Sequence, residues 1–107
     1  MLSKKFRLNR NEIEELKTKR HNILQGRFFA LIFKETNLPG KFGLIISNKI
    51  SPSSIRRNKI KRLLCQAIKN ELSGSTGLFL FLAKKNSLNG ALELFEEEMD
   101  DFRNETT

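Results

Sequence analysis

The segment from residue 55 to residue 70 holds the residues best suited to chemistry, and the chemistry they suit is anion binding. It contains six lysines and arginines and no acidic residue. Cations so close together repel one another unless a counter-anion lies between them. Arginine can grip a phosphate through two parallel hydrogen bonds, whereas lysine acts as a point charge. The pattern therefore predicts a surface that binds a polyanion, and the alternative is an ordinary solvated basic face.

The apolar residues of this segment recur every three or four positions, which predicts an amphipathic helix. Its packing stripe consists of Ile60, Leu63, Leu64, Ala67, Ile68 and Leu72. At about 100° per residue, the opposite side carries Asn58, Lys61, Arg62, Cys65 and Lys69, with Arg57 and Lys59 beside it. Ser53 or Ser54 is suited to cap the helix, and Ser73-Gly74 to end it. Cations near a helix N-terminus oppose the macrodipole, which indicates that function rather than stability keeps them there.

The sequence contains no set of side chains that would make a self-sufficient catalyst. Cys65 is the only cysteine and His21 the only histidine, which excludes an internal disulfide and a Cys/His metal cluster. His21 is too isolated to serve as a general base and is interpreted as a surface residue. The acidic residues between positions 93 and 101 could bind a metal ion, but they are more typical of a solvated helix face. No glycine-rich phosphate loop or Ser/His/Asp pattern is present, so the chain is interpreted as a binding protein.

The charge of the chain is high and unevenly distributed. There are 20 Lys and Arg against 12 Asp and Glu, a net charge of +8. Residues 1–72 carry 17 of the basic and 5 of the acidic side chains, whereas residues 73–107 carry 3 and 7. This division fits one cationic surface that faces nucleic acid while the C-terminal segment is turned away from it.

The length of 107 residues predicts one RNA-binding domain spanning residues 1–107, with a frayed tail at residues 103–107. The apolar runs are far too short to span a membrane, and the first residues lack the apolar stretch of a secretory signal. We therefore expect a cytoplasmic protein with no membrane partner.

Strands and two further helices are predicted to position the basic helix. The patterns predict a helix over 10–19, strands at 23–24, 28–33 and 42–48, the basic helix, a strand at 77–83 and a last helix opening at Ser87 or Asn89. The turn signal at 37–40 predicts a hairpin between the strands at 28–33 and 42–48. The basic helix then joins two parallel neighbouring strands, with the helices on one sheet face. The predicted fold is a two-layer α+β sandwich in the order α-β-β-β-α-β-α.

The basic helix and its surroundings resemble a known family. The residues Arg57–Arg62, which read RNKIKR, resemble the RNRIKR signature of the bacterial ribonuclease P protein family. Ser47–Lys49 resembles the Ser-Lys-Lys that ends the preceding strand in that family. Arg7-Leu8, the strand containing Gly43, and the strand 78–84 ending in Ala-Lys fall in the family order.

The resemblance implies a protein subunit of the endoribonuclease that removes the 5′ leader of precursor tRNA. In that family the RNA subunit hydrolyses the phosphodiester with bound Mg²⁺, and the protein strengthens metal and substrate affinity. The basic helix contacts the catalytic ribonuclease P RNA, and a cleft between the sheet and the helices holds the single-stranded leader. The fold contains a left-handed βαβ crossover through the basic helix. No protein partner and no metal held by the protein alone are implied.

The resemblance assigns candidate site residues at matching positions. Contacts to the catalytic RNA are expected from Arg56, Arg57, Asn58, Lys59, Lys61, Arg62, Lys69 and Lys49. Leader-binding candidates are Phe6, Arg7, Arg10, Ile13, Lys17, Phe29 and Lys34. The chain departs from the family at Cys65, where another arginine is common, at Asn48, and at Ile13, where a phenylalanine would stack on a base. Cys65 is expected to be an exposed thiol, so that one phosphate contact made by arginine in the family is missing.

Two other functions remain open from the sequence. One is a ribosomal-type protein that binds rRNA structurally. The other is a DNA-binding module whose helix reads a major groove through Asn58 and Arg62. A strand and a proline-containing turn precede the basic helix, whereas a helix-turn-helix module would have a helix there. The ribosomal alternative leaves the ordered match to the signature unexplained.

Overall fold

The computed structural model of the protein describes residues 4–18 and 22–106. It contains the helices α1 (Arg10–Thr18), α2 (Ser54–Glu71) and α3 (Leu92–Thr106), and the strands β1 (Asn22–Gln25), β2 (Phe29–Pro39), β3 (Lys41–Ile45) and β4 (Thr76–Ala83). Short 3-10 helices cover Lys4–Phe6 and Lys85–Asn89. The predicted order α-β-β-β-α-β-α is confirmed. The predicted surface role of His21 and the last residue of the helix predicted over 10–19 lie outside the described residues.

The four strands form one sheet in the order β1-β2-β4-β3. β2 pairs antiparallel with both β1 and β4, whereas β3 and β4 are parallel and are joined through α2. The predicted parallel pair is confirmed, but the predicted hairpin of β2 with β3 is wrong because β4 lies between them. β4 is apolar on both sides, as is typical of a central strand with both faces covered.

β2 extends through the segment that was predicted to be a turn. Lys34 pairs with Leu78 and Pro39 with Thr76, so four residues of β2 bulge opposite Gly77 alone. Gly77 has φ +117°, and a Cβ there would lie 2.7 Å from the Phe33 ring and 2.9 Å from the Lys34 carbonyl oxygen. The bulge thus requires glycine at this position. The chain reverses only at Gly40.

The helices cover both faces of the sheet. α2 and α3 pack on the face that carries Phe79 and Phe81, and these rings join the larger core cluster. Alternate residues of β4 point the other way, where Leu80 packs with Leu16 of α1 in a second cluster. The prediction of all helices on one face is therefore wrong for α1, whose nine residues were too few to reveal which face they cover.

The helix ends differ from the sequence predictions at two places. The Ser53 side chain accepts a hydrogen bond from the Arg56 N–H at 3.3 Å, which confirms it as the cap of α2. α3 begins at Leu92 rather than at Ser87 or Asn89, because Gly90 is extended between the 3-10 turn and the helix. The predicted frayed tail begins at Arg103, yet α3 continues through Thr106, and the Arg103 guanidinium donates to the Glu71 carbonyl oxygen at 2.8 Å.

A buried carboxylate joins α3 to the turn between β1 and β2. Glu98 is only 6% exposed, and its oxygens accept hydrogen bonds from the backbone N–H groups of Arg27, Phe28 (3.0 and 3.1 Å) and Phe29 (2.8 Å). Gly26 permits this approach, since a Cβ there would lie 2.6 Å from the Glu98 carboxyl carbon. Glu98 therefore supplies the acceptors that three consecutive donors would otherwise lack.

We expect Glu98→Ala to lower the free energy of unfolding by about 3 kcal/mol, because it leaves buried donors without acceptors. Urea unfolding followed by circular dichroism measures this change. Glu97→Ala, which removes an exposed carboxylate from the same helix, is the matched control and should change the stability by less than about 0.5 kcal/mol. Equal stabilities for the two variants would contradict the role assigned to Glu98.

Candidate nucleic-acid interface

α2 buries one side and exposes its cations on the other. Its buried residues are Ile60, Leu64, Cys65, Ala67 and Ile68. The exposed polar residues include five cations and one amide, namely Arg56, Asn58, Lys59, Lys61, Arg62 and Lys69. We call these six residues the α2 cationic surface. The predicted division of the helix into an apolar and a cationic side is confirmed in outline.

No carboxylate neutralises the α2 cationic surface within the described residues. The ion pairs found there join Lys34 to Glu15 at 2.8 Å, Lys41 to Glu12 at 3.4 Å, and Arg103 to Glu71 and Asp100. Each of these pairs lies away from the five exposed cations of α2. The protein thus neutralises Lys34, Lys41 and Arg103 internally and leaves the cations of α2 available to an external anion.

Arg57 differs from the other cations of the segment. Its side chain is half-buried, and its guanidinium donates to the Ser51 carbonyl oxygen at 2.9 Å. Arg57 lies three and seven residues before Ile60 and Leu64, so it belongs to the packed side of the helix rather than to the flank of the cationic side. It therefore holds the turn that leads from β3 into α2, where Lys49, the RNA-contact candidate that the resemblance places at this junction, is exposed.

Cys65 is part of the core, which corrects the prediction of an exposed thiol. It is 4% exposed and belongs to the cluster that contains Ile68 and Phe81. The buried arc of α2 is wider than the apolar stripe suggests, because α3 packs against α2 alongside the sheet. Because the side chain at position 65 faces the core, a cysteine there does not deprive the protein of a contact to phosphate.

A groove of about 700 Å³ lies beside the N-terminal half of α2 and brings a further cation close to the α2 cationic surface. Arg56 and Lys59 line one wall, and Lys85 and Asn86 of the 3-10 turn line the other. Sequence reasoning did not select Lys85, although the Lys84-Lys85 pair at the end of a strand was a usable signal. The two lysines differ, because the Lys84 ammonium donates to the Gly26 carbonyl oxygen at 2.6 Å whereas Lys85 is exposed.

The candidate leader-binding residues fall into three groups. Arg10 and Lys17 are exposed and Ile13 is partly buried on the same side of α1, so the structure brings these three together. Lys34 lies on the same sheet face but is ion-paired with Glu15. The partly buried apolar residues next to this group are Ile45, Leu78 and Leu82.

The remaining candidates lie elsewhere. Phe29 is fully buried against the Phe95 ring, with ring centroids 4.9 Å apart, so its assignment to a leader-binding surface is wrong. Its alternation along β2 directs it to the α3 side of the sheet. Phe6 is 38% exposed beside Phe42 and α2, and Arg7 is exposed next to it. Phe6 and α2 line a groove of their own.

Three of the acidic residues of α3 contact other groups of the protein. Besides Glu98, the Glu96 carboxylate accepts from Asn70 at 2.6 Å, and Asp100 pairs with Arg103. Over residues 4–18 and 22–106, no group of three or more His, Cys, Asp or Glu side chains is placed to hold a metal ion. In the same part of the chain, no helix has the length and apolar character needed to cross a membrane.

The fold and the α2 cationic surface define a small α+β protein with a helix suited to binding a polyanion. A family model described as Ribonuclease P matches residues 2–106, and the chain belongs to the ribonuclease P protein family. A search of curated proteins gives no significant sequence match.

Solved structures with the same fold include two ribonuclease P proteins. That of Staphylococcus aureus has a TM-score of 0.79 at 15% identity, covering 95% of each chain. That of Thermotoga maritima has a TM-score of 0.72 at 18% identity, covering 90% of this chain and 93% of the other. A S. aureus mutant with defective mRNA degradation activity matches with a TM-score of 0.79 at 16% identity, covering 96% and 89%. The fold is thus retained although few residues are identical.

We expect Arg62→Ala to weaken binding to ribonuclease P RNA and to flatten the plot of log affinity against log salt concentration by about one unit, because one phosphate contact is lost. Filter binding over a range of salt concentrations measures the slope. Lys41→Ala is the matched control, since it removes a lysine that is already paired with Glu12. A slope that Arg62→Ala leaves unchanged would show that Arg62 faces solvent in the complex.

We expect the Cys65 thiol to react with a thiol reagent roughly 100-fold more slowly in the native protein than in denaturant, because the reagent must wait for local opening. A Cys65→Ala, Gln66→Cys double variant moves the thiol to the exposed neighbouring position and should react rapidly in the native state. Rapid labelling of native Cys65 would contradict its place in the core.

Proposed function

We propose that this protein is the protein subunit of a ribonuclease P that removes the 5′ leader of precursor tRNA, and that it binds the catalytic RNA through α2. Membership of the family supports an RNA partner and a role in tRNA processing. The observation that carries the proposal is the α2 cationic surface, whose five cations have no carboxylate partner in the described chain. An RNA backbone supplies the missing anions.

The catalytic RNA lies along the α2 cationic surface in this proposal. Arg56 and Lys59 hold phosphates at the N-terminal end, where Lys85 across the groove adds a third cation. Arg62 and Lys69 continue the contact along the helix, and Asn58 hydrogen-bonds between the cations. Arg57 acts as a positioning residue, because its bond to the Ser51 carbonyl fixes the turn that presents Lys49.

The 5′ leader lies on the α1 side of the sheet in this proposal. Arg10 and Lys17 contact its phosphates, and Ile13 with the partly exposed Ile45 and Leu82 provides an apolar surface for its bases. Ile13 offers a branched aliphatic side chain instead of an aromatic ring, so base stacking at this position is replaced by weaker apolar contact. The leader and the catalytic RNA thus occupy opposite faces of the sheet.

The protein contributes binding rather than bond cleavage. Mg²⁺ bound mainly by the RNA supplies the activation of water and the stabilisation of the leaving oxygen. The cations on α2 and α1 reduce the repulsion among RNA phosphates that Mg²⁺ would otherwise have to neutralise. A cytoplasmic location belongs to the same proposal.

We expect the protein to restore cleavage of precursor tRNA by a bacterial ribonuclease P RNA at a Mg²⁺ concentration where the RNA alone is inactive. Denaturing gels that resolve the released leader measure the cleavage rate. A variant in which Arg56, Lys59 and Arg62 are all glutamine should fold and fail to restore cleavage. No gain with the unaltered protein would reject the proposal, and preferential binding to ribosomal RNA would favour the ribosomal alternative.

A further inference from the structure

A second groove, of about 850 Å³, lies at the C-terminal end of α2. Its apolar lining includes Phe42, Ile68 and Leu72, which are buried core residues, and the Phe6 ring, which is 38% exposed. Residues 73–76, which lead from α2 into β4, also line the groove. The groove thus combines an accessible aromatic ring with an apolar interior.

Cations border this groove. Lys69 is exposed and lines it, and the Lys5 ammonium lies 5.1 Å from the centroid of the Phe6 ring. No acidic side chain is among the described residues that line the groove. A wholly apolar ligand would gain nothing from Lys69, whereas a ligand with both a flat apolar part and an anionic part would use the whole surface.

The groove continues the α2 cationic surface. Lys69 follows Arg62 by seven residues, which places it two turns and about 10 Å further along the same side of the helix. A strand whose phosphates contact Arg62 and then Lys69 arrives at the mouth of the groove. Aromatic rings beside cations are the usual platform for unpaired bases, because every base offers a flat face.

We infer that this groove binds an unpaired nucleobase of an RNA strand, with the base stacked on Phe6 and its phosphate paired with Lys69. The inference rests on the proposed function, which identifies RNA as the partner. It adds a base-binding site that is separate from the α1 side of the sheet and from the N-terminal half of α2. The strand that contacts Arg62 and Lys69 is the catalytic RNA in the proposed function, so we assign the base to that RNA, and the test distinguishes it from the precursor leader.

The sequence contains no tryptophan and no tyrosine, so Phe6→Trp creates a single fluorescent reporter in the groove. Selectively excited tryptophan fluorescence should be quenched saturably by the RNA that supplies the base. Titration with ribonuclease P RNA and with a single-stranded leader oligonucleotide forms the two arms. Quenching by ribonuclease P RNA supports the inference, whereas quenching by the leader oligonucleotide alone would overturn the assignment of the base to the catalytic RNA. Glu97→Trp, at an exposed position of α3 away from the groove, should not respond.

Affinity measurements keep the test independent of the reporter. Phe6→Ala should weaken binding of the responding RNA roughly five-fold or more without changing the salt slope, because a stack and not a phosphate contact is lost. Lys69→Gln should weaken binding and flatten the slope. Inorganic polyphosphate, which has charge but no bases, should not quench the Phe6→Trp reporter.

Absence of quenching by both RNAs, or equal quenching by polyphosphate, would overturn the inference. An unchanged affinity of Phe6→Ala for both RNAs would also overturn it. These outcomes leave the proposed function intact, since cleavage by the RNA at low Mg²⁺ in the presence of the unaltered protein is measured separately. Failure of that cleavage assay together with quenching by an oligonucleotide would instead retain the base site and reject the proposed function.

Discussion

The charge repulsion along α2 is the constraint on which the rest of the structure depends. Five unneutralised cations on one helix, several of them near its positive N-terminal end, oppose helix formation. Burial of the other side must offset this cost, and each large apolar side chain that it buries contributes about 1.5–3 kcal/mol. The helix therefore packs against both the sheet and α3, and Ile60, Leu64 and Ile68 are almost completely buried. Stability comes from one side of α2 and binding from the other.

The distribution of acidic side chains keeps the two sides distinct. Glu12 and Glu15 of α1 pair with Lys41 and Lys34 of the sheet. Asp100 and Glu71 pair with Arg103. Glu98 is buried against backbone donors at the turn between β1 and β2. These contacts consume carboxylates that would otherwise compete with RNA phosphates for the α2 cations. Part of the negative charge of the C-terminal segment thus serves packing, and the positive charge of α2 stays available.

Much of the fold was predictable from the sequence, because it depends on local patterns. The cap at Ser53, the apolar stripe of α2 and the parallel pair joined by α2 follow from the spacing of residues near one another in the chain. The position of β4 between β2 and β3 was not predicted, since a turn signal describes only its own residues. The uninterrupted apolar run of β4 was the signal that favoured a central strand.

The candidate site was predictable where exposure follows from helical spacing and not where it depends on packing between distant elements. Arg62 and Lys69 are exposed as expected. Cys65 is buried because α3 covers that side of α2, and Phe29 is buried because Phe95 packs against it. Arg57 is held by the Ser51 carbonyl, a contact that depends on how the turn after β3 folds back. Side-chain spacing in a single element contains no information on these contacts.

The central claim is that the cations of α2 lie against RNA, and protection of lysines from acetylation tests it most directly. Mass spectrometry compares the reactivity of each lysine in the free protein and in its complex with ribonuclease P RNA. The account predicts that Lys59, Lys61 and Lys69 become protected while Lys41 on the α1 side keeps its reactivity. Equal reactivity of the three α2 lysines in the free and bound protein would contradict the account.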